Sequence, residues 1–111
     1  MRLPVVAVAA VLVALPFAPS FADEPVAMSI VIKDHKFDPQ TLTVPAGKEI
    51  ELTVDNQDAT PEEFESNVLK VEKIIPGNSK GKVRFGPVEP GSYEFFGEFF
   101  QTTAQGVVVA E

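Results

Sequence analysis

The side chains able to bind a metal are almost all carboxylates, so nearly all of them offer oxygen. The 111-residue chain has no cysteine and one histidine, His35. A copper centre built from a thiolate, two imidazoles and a weak axial thioether is excluded by composition. No Ser/His/Asp order builds a nucleophilic triad, and no glycine-rich loop cradles a phosphate. Beside His35 the chain offers carboxylates, among them Glu62, Glu63, Glu65 and Glu98. Residues two apart on a strand share a face, so Glu63 and Glu65 point the same way while Phe64 enters the core. Two carboxylates on one face, joined by an imidazole and a third carboxylate from neighbouring loops, suit a hard or borderline cation such as iron. Each residue has a plainer alternative. His35, between Asp34 and Lys36, reads equally as a hydrogen-bonded turn residue, and the glutamates read as a solvated acidic face.

These residues need elements to hold them. Met28 to Lys33 alternates, with Ile30 and Ile32 on one face and Ser29, Val31 and Lys33 on the other, which is a strand pattern. Lys36 to Gln40 reads as a turn, Thr41 to Val44 as extended chain, and Pro45 to Lys48 as a second turn. Glu49 to Asp55 alternates strictly, placing Ile50, Leu52 and Val54 inward. Glu62 to Ser66 and the apolar-rich Val68 to Ile75 follow, then strands at Lys82 to Phe85, Ser92 to Gly97 and Gly106 to Ala110. Glu62 to Lys73 has helix-forming composition, but Asn67, Val68 and Val71 favour extended structure. Short strands punctuated by Pro or Gly predict an all-β sandwich or small barrel.

The first residues carry one positive charge, an apolar run from Leu3 to Phe17, and small residues up to Ala22 before Asp23 and Glu24. This pattern predicts a signal peptide over residues 1–22, cleaved near Ala22, and a periplasmic protein of residues 23–111. A retained membrane anchor is the alternative, but Pro4 and Pro16 interrupt the run and it falls short of the ~20 residues that span a bilayer. Cutting 22 of the 111 residues leaves 89, enough for one small domain. With no disulfide to support it, that domain relies on packing, sheet hydrogen bonds or a bound ion. The chain has 9 Lys+Arg against 16 Asp+Glu, a formal charge of −7, which disfavours nucleic acid and favours cations or basic protein faces.

The order of strand, His35-Lys36-Phe37-Asp38-Pro39, Leu42-Thr43-Val44-Pro45-Ala46-Gly47, strand, and Pro90-Gly91-Ser92-Tyr93-Glu94-Phe95 before a final strand resembles a cupredoxin-like domain from about Met28 to Glu111. The resemblance implies a Greek-key β-sandwich. Within it, Thr60 to Ser66 and Phe95 to Phe99 resemble the branch found in periplasmic iron-uptake systems, of the Efe type or accompanying iron permeases. That resemblance implies a partner of an inner-membrane iron permease that binds or oxidises iron, with copper as a second metal. It also places metal ligands in the loop from Gly97 to Gln105, which nominates Glu98. Related proteins often carry a histidine near Phe100, where this chain has a ring that cannot ligate.

The metal site expected from residues and resemblance together is His35, Glu63, Glu65 and Glu98. The competing function is a metal-free interaction module. It would use the acidic face or the aromatic group Tyr93, Phe95, Phe96, Phe99 and Phe100, which is denser than one sheet face can bury. Ferroxidase activity is the one catalytic role these residues leave open.

Overall fold

The computed structural model describes residues 24–111, together with residues 2–5, 7, 9–11 and 13; the cleavage point expected near Ala22 lies outside them. Among the described residues nine strands follow in chain order: β1 (Val26–Lys33), β2 (Lys36–Asp38), β3 (Thr41–Val44), β4 (Ile50–Asn56), β5 (Glu62–Ser66), β6 (Val71–Ile75), β7 (Ser79–Phe85), β8 (Gly91–Gly97) and β9 (Gln105–Ala110). A 3₁₀ turn, Glu98–Phe100, joins β8 to β9. They form a four-stranded sheet in the order β2-β1-β4-β7 and a five-stranded sheet in the order β3-β9-β8-β5-β6. Each sheet is mixed: β1 runs parallel to β4 and β3 parallel to β9, while the remaining pairs are antiparallel.

Period-two alternation decides which side chains meet between the sheets. Ile30 and Ile32 of β1, Ile50, Leu52 and Val54 of β4, and Val83 and Phe85 of β7 face Leu42, Val44, Phe64, Ile75, Phe95 and Val108 of the other sheet, all buried. At its centre Phe37 meets Phe64 and Phe95 edge-on, with ring centroids 5.9 and 5.0 Å away, and Phe64 and Phe95 lie 5.1 Å apart. Each such pair adds about 0.5–1.5 kcal/mol beyond the area it buries. Gly106 makes this trio possible, because the Phe95 ring occupies the space a Cβ there would need.

Two sequence readings are refined. Lys36 to Asp38 is a short strand and not a turn; the reversal sits earlier, at Asp34 and His35, both at positive φ (53° and 58°). Over 62–73 the helical alternative gives way to the β5–β6 hairpin, which reverses through Asn67 to Lys70 with Lys70 at φ 58°. Ser66 closes that turn: its hydroxyl donates to the Glu94 carbonyl at 2.7 Å and accepts from the Leu69 N–H at 3.1 Å.

Candidate metal centre

Strand β5 sorts its carboxylates by parity. Glu62, Phe64 and Ser66 point between the sheets, and Glu63 and Glu65 point outward, half-buried. The hairpin register sets Glu65 opposite Glu72 of β6, and Glu63 opposite Ile74. Glu63, Glu65 and Glu72 thereby each offer an oxygen within 4.8 Å of the others. Like charges at that range, on partly desolvated groups, resist joint ionisation. Desolvation and the facing Glu72 and Glu65 push the Glu63 carboxyl up to about 7. Desolvation also raises Glu65, followed by the charges of Glu98 and Glu72. Glu98, at the start of the 3₁₀ turn, is thus electrostatically part of the same group. A cation bound among these oxygens would relieve the repulsion.

Of the four expected ligands, the fold therefore brings Glu63, Glu65 and Glu98 into one electrostatic neighbourhood and adds Glu72. His35 is held elsewhere. Its ring stacks on Phe100 with centroids 3.6 Å apart and planes 15° from parallel, and its Nδ1 lies 3.4 Å from the Asp58 carboxylate. Asp58 also accepts the backbone N–H of Asp34 at 2.8 Å and of His35 at 2.9 Å, which holds the left-handed β1–β2 turn in place. Asp58 is itself positioned by Asn56, whose Oδ1 accepts the Asp58 N–H and whose Nδ2 donates to the carbonyls of Thr60, Ile75 and Pro76. His35 thus ties the β1–β2 turn of one sheet to the 3₁₀ turn of the other. It lies outside the carboxylate trio.

Glu62 is the buried carboxylate at this end of the sandwich, 1% exposed. Its Oε1 accepts the N–H groups of Glu63 and Phe99, both at 2.9 Å, so it fastens the 3₁₀ turn to β5. Its Oε2 is buried without a hydrogen-bond partner. The carboxyl group stands where a Cβ on Gly97 would have to be, and that Cβ would also lie 2.8 Å from the Ala104 methyl. The space between β5 and the loop after β8 is therefore filled by a resident carboxylate. With no cysteine in the chain and its one imidazole stacked on Phe100, these residues do not fit a thiolate and bis-imidazole copper centre.

Glu62 and Glu72 carry more of this site than the sequence reading gave them. The signal for Glu62 was present: the alternation that turns Glu63 and Glu65 outward around Phe64 must turn Glu62 inward. Glu72 becomes visible only with the hairpin register, which a turn lacking Gly and Pro conceals. Across the same outer face the register runs Glu72, Glu65, Phe96, Gln105, ending at an open groove of about 540 Å³ lined by Gln40, Thr41, Glu94, Phe96, Gln101 and Gln105.

Two mixed sheets packed face to face, each with one parallel pair, and a short turn-bearing loop between the last two strands define a cupredoxin-type sandwich, here with carboxylates and no thiolate at that loop. The family model described as "Cupredoxin-like domain" matches residues 5–110, and the chain belongs to that family. An uncharacterized protein of Rickettsia prowazekii (strain Madrid E), RP394, is 45% identical over 82 residues, covering 74% of this chain and 66% of that protein; the chain thus spans just under two thirds of that relative. Among solved structures, auracyanin A, a "blue" copper protein from Chloroflexus aurantiacus, matches with a TM-score of 0.66 at 19% identity, over 79% of this chain and all of its own. The metal-binding domain of the Streptococcus pneumoniae D39 Cu(I)-exporting P-type ATPase CopA, solved with Cu(I), matches with a TM-score of 0.66 at 17% identity, over 82% of this chain and 91% of its own. At those identities the likeness establishes the fold.

Proposed function

We propose that this is an exported cupredoxin-like protein that binds a metal cation through carboxylate oxygens and does not act as a blue-copper electron carrier. The observation that carries the reading is the convergence of Glu63, Glu65 and Glu72 within 4.8 Å, beside Glu98. An all-oxygen set on one hairpin selects hard or borderline ions, and its charge favours the ferric over the ferrous state. Iron is the metal this chemistry favours. The finer assignment, to a periplasmic iron-uptake system in which the protein presents iron to an inner-membrane permease, rests on the resemblance of the Thr60 to Ser66 and Phe95 to Phe99 runs to that branch. A cupric ion is the second reading, favoured by the copper that the structural neighbours named above hold.

Calorimetric titration of the purified protein with ferrous, ferric and cupric ions tests this. The reading predicts one site, weakened at least tenfold by Glu63→Gln with Glu65→Gln, and by Glu72→Gln. Undiminished binding by those variants contradicts the assignment of ligands. No binding of any of the three ions, and no rise in thermal stability with them, favours the metal-free interaction module, since a ligand selective for the folded state must stabilise it.

A further inference from the structure

The outer face of the five-stranded sheet combines clustered carboxylates with exposed apolar side chains. Its carboxylates crowd one another: Glu63 and Glu65 lie with Glu72 within 4.8 Å, and the side chains acting on Glu63 and Glu65 are one another, Glu72 and Glu98. Two basic side chains of β7 are engaged on the opposite sheet, Lys82 with Glu51 at 3.2 Å and Arg84 with Glu51 and Glu49 at 2.8 and 3.4 Å. Lys73, the nearest on β6, turns its ammonium to the Lys82 carbonyl at 3.0 Å. Large apolar side chains are exposed at the same end: Ile74, opposite Glu63, is 55% exposed, and Phe99, whose N–H is fastened to Glu62, is 46% exposed. Phe96 lies half-buried beside Glu65.

We propose that this face, formed by Glu63, Glu65, Glu72 and Glu98 with Ile74 and Phe99, docks a segment of a partner protein in which Lys or Arg side chains alternate with apolar ones. The sign of the charge sets the class of occupant. Phosphate-rich nucleic acid and anionic membrane surfaces are repelled, whereas a basic segment is attracted from a distance and held in register by carboxylates spaced along and across two strands. The apolar side chains supply what charge alone does not, since rim ion pairs in water contribute little and desolvated apolar anchors contribute most of an interface's energy. This assignment does not rest on the cation reading. The two share Glu63, Glu65 and Glu72, so ion and segment compete, each weakening the other by the same factor.

The test is an NMR titration of the isotopically labelled protein with a synthetic peptide of alternating Lys and Leu, run beside a Gln/Leu and a Lys/Ser counterpart at physiological salt. Docking predicts amide shifts concentrated in β5, β6 and residues 96–99 for the Lys/Leu peptide, with at least tenfold weaker binding of both counterparts. Ile74→Ser with Phe99→Ser, both at exposed positions, is expected to lower affinity for the Lys/Leu peptide at least tenfold while leaving the melting temperature near the parent's. Parent-like affinity in that variant, shifts centred on β4 and β7, or equal binding of the Gln/Leu peptide overturns the proposal. Peptide docking here with no ion bound supports the proposal and removes the cation reading alone. An ion bound with no docking does the reverse.

Discussion

The buried carboxylate of Glu62 and the missing side chain of Gly97 form one steric and electrostatic unit, and a double-mutant cycle on them tests it. Glu62→Ala deletes the acceptor of the Glu63 and Phe99 N–H groups. Two hydrogen bonds to a buried carboxyl oxygen, at about 1.5–3 kcal/mol each, are lost, and relief of the buried unpartnered Oε2 returns about 1–3, so mid-range values leave a net loss of about 2–3 kcal/mol. For a domain of this size that is a fall in melting temperature of about 10–25 °C. Gly97 has φ −97° and ψ 115°, extended backbone that alanine adopts freely, so the cost of Gly97→Ala is crowding alone, about 1–3 kcal/mol. With the carboxyl gone, the added methyl enters the vacated space and meets chiefly Ala104. The double variant is therefore expected to be no less stable than Glu62→Ala by more than about 1 kcal/mol, a non-additivity of about 1–3. Urea unfolding followed by circular dichroism measures all four proteins. Additive losses, or a Glu62→Ala variant within about 1 kcal/mol of the parent, would refute the reasoning.

Further outcomes follow from the same geometry. The Glu63 carboxyl is raised to about 7 in the folded protein, so the folded state holds its proton more tightly than the unfolded chain. Stability of the metal-free protein is accordingly expected to fall as pH rises from about 4.5 to about 7 and to level off above; Glu63→Gln removes that contribution, as melting curves at stepped pH would reveal. Asn56→Ala strands the carbonyls of Thr60, Ile75 and Pro76 and the N–H of Asp58, and is expected to cost about 2–4 kcal/mol in urea titration. Export with cleavage after Ala22 predicts that Edman sequencing of the secreted protein begins at Asp23; a protein retaining residues 1–22 in the membrane fraction contradicts it.

The strands were legible because their apolar side chains alternate against polar ones. Ile50, Leu52 and Val54 fix the face of β4 unaided, and Phe64 between two glutamates fixes β5. The β1–β2 reversal was not legible, because it rests on Asp34 and His35 in left-handed conformation, held by Asp58 more than twenty residues away. The candidate site was legible in part for the same reason. Parity within one strand brings Glu63 and Glu65 together, and the family resemblance, which places ligands in the loop after β8, brings Glu98. Glu72 depends on pairing between strands, and the placement of His35 depends on Phe100 lying beneath its ring, neither of which local pattern encodes. Composition did settle one exclusion outright: without a thiolate there is no blue-copper centre, whatever the sandwich resembles.

The most direct measurement is anomalous diffraction from crystals of the protein soaked with ferric or cupric ion. The account predicts a single strong peak among the carboxylate oxygens of Glu63, Glu65 and Glu72, lost in the Glu65→Gln protein. A peak confined to His35 and Asp58, or crystals soaked to saturation with no peak on the β5–β6 hairpin, would contradict it.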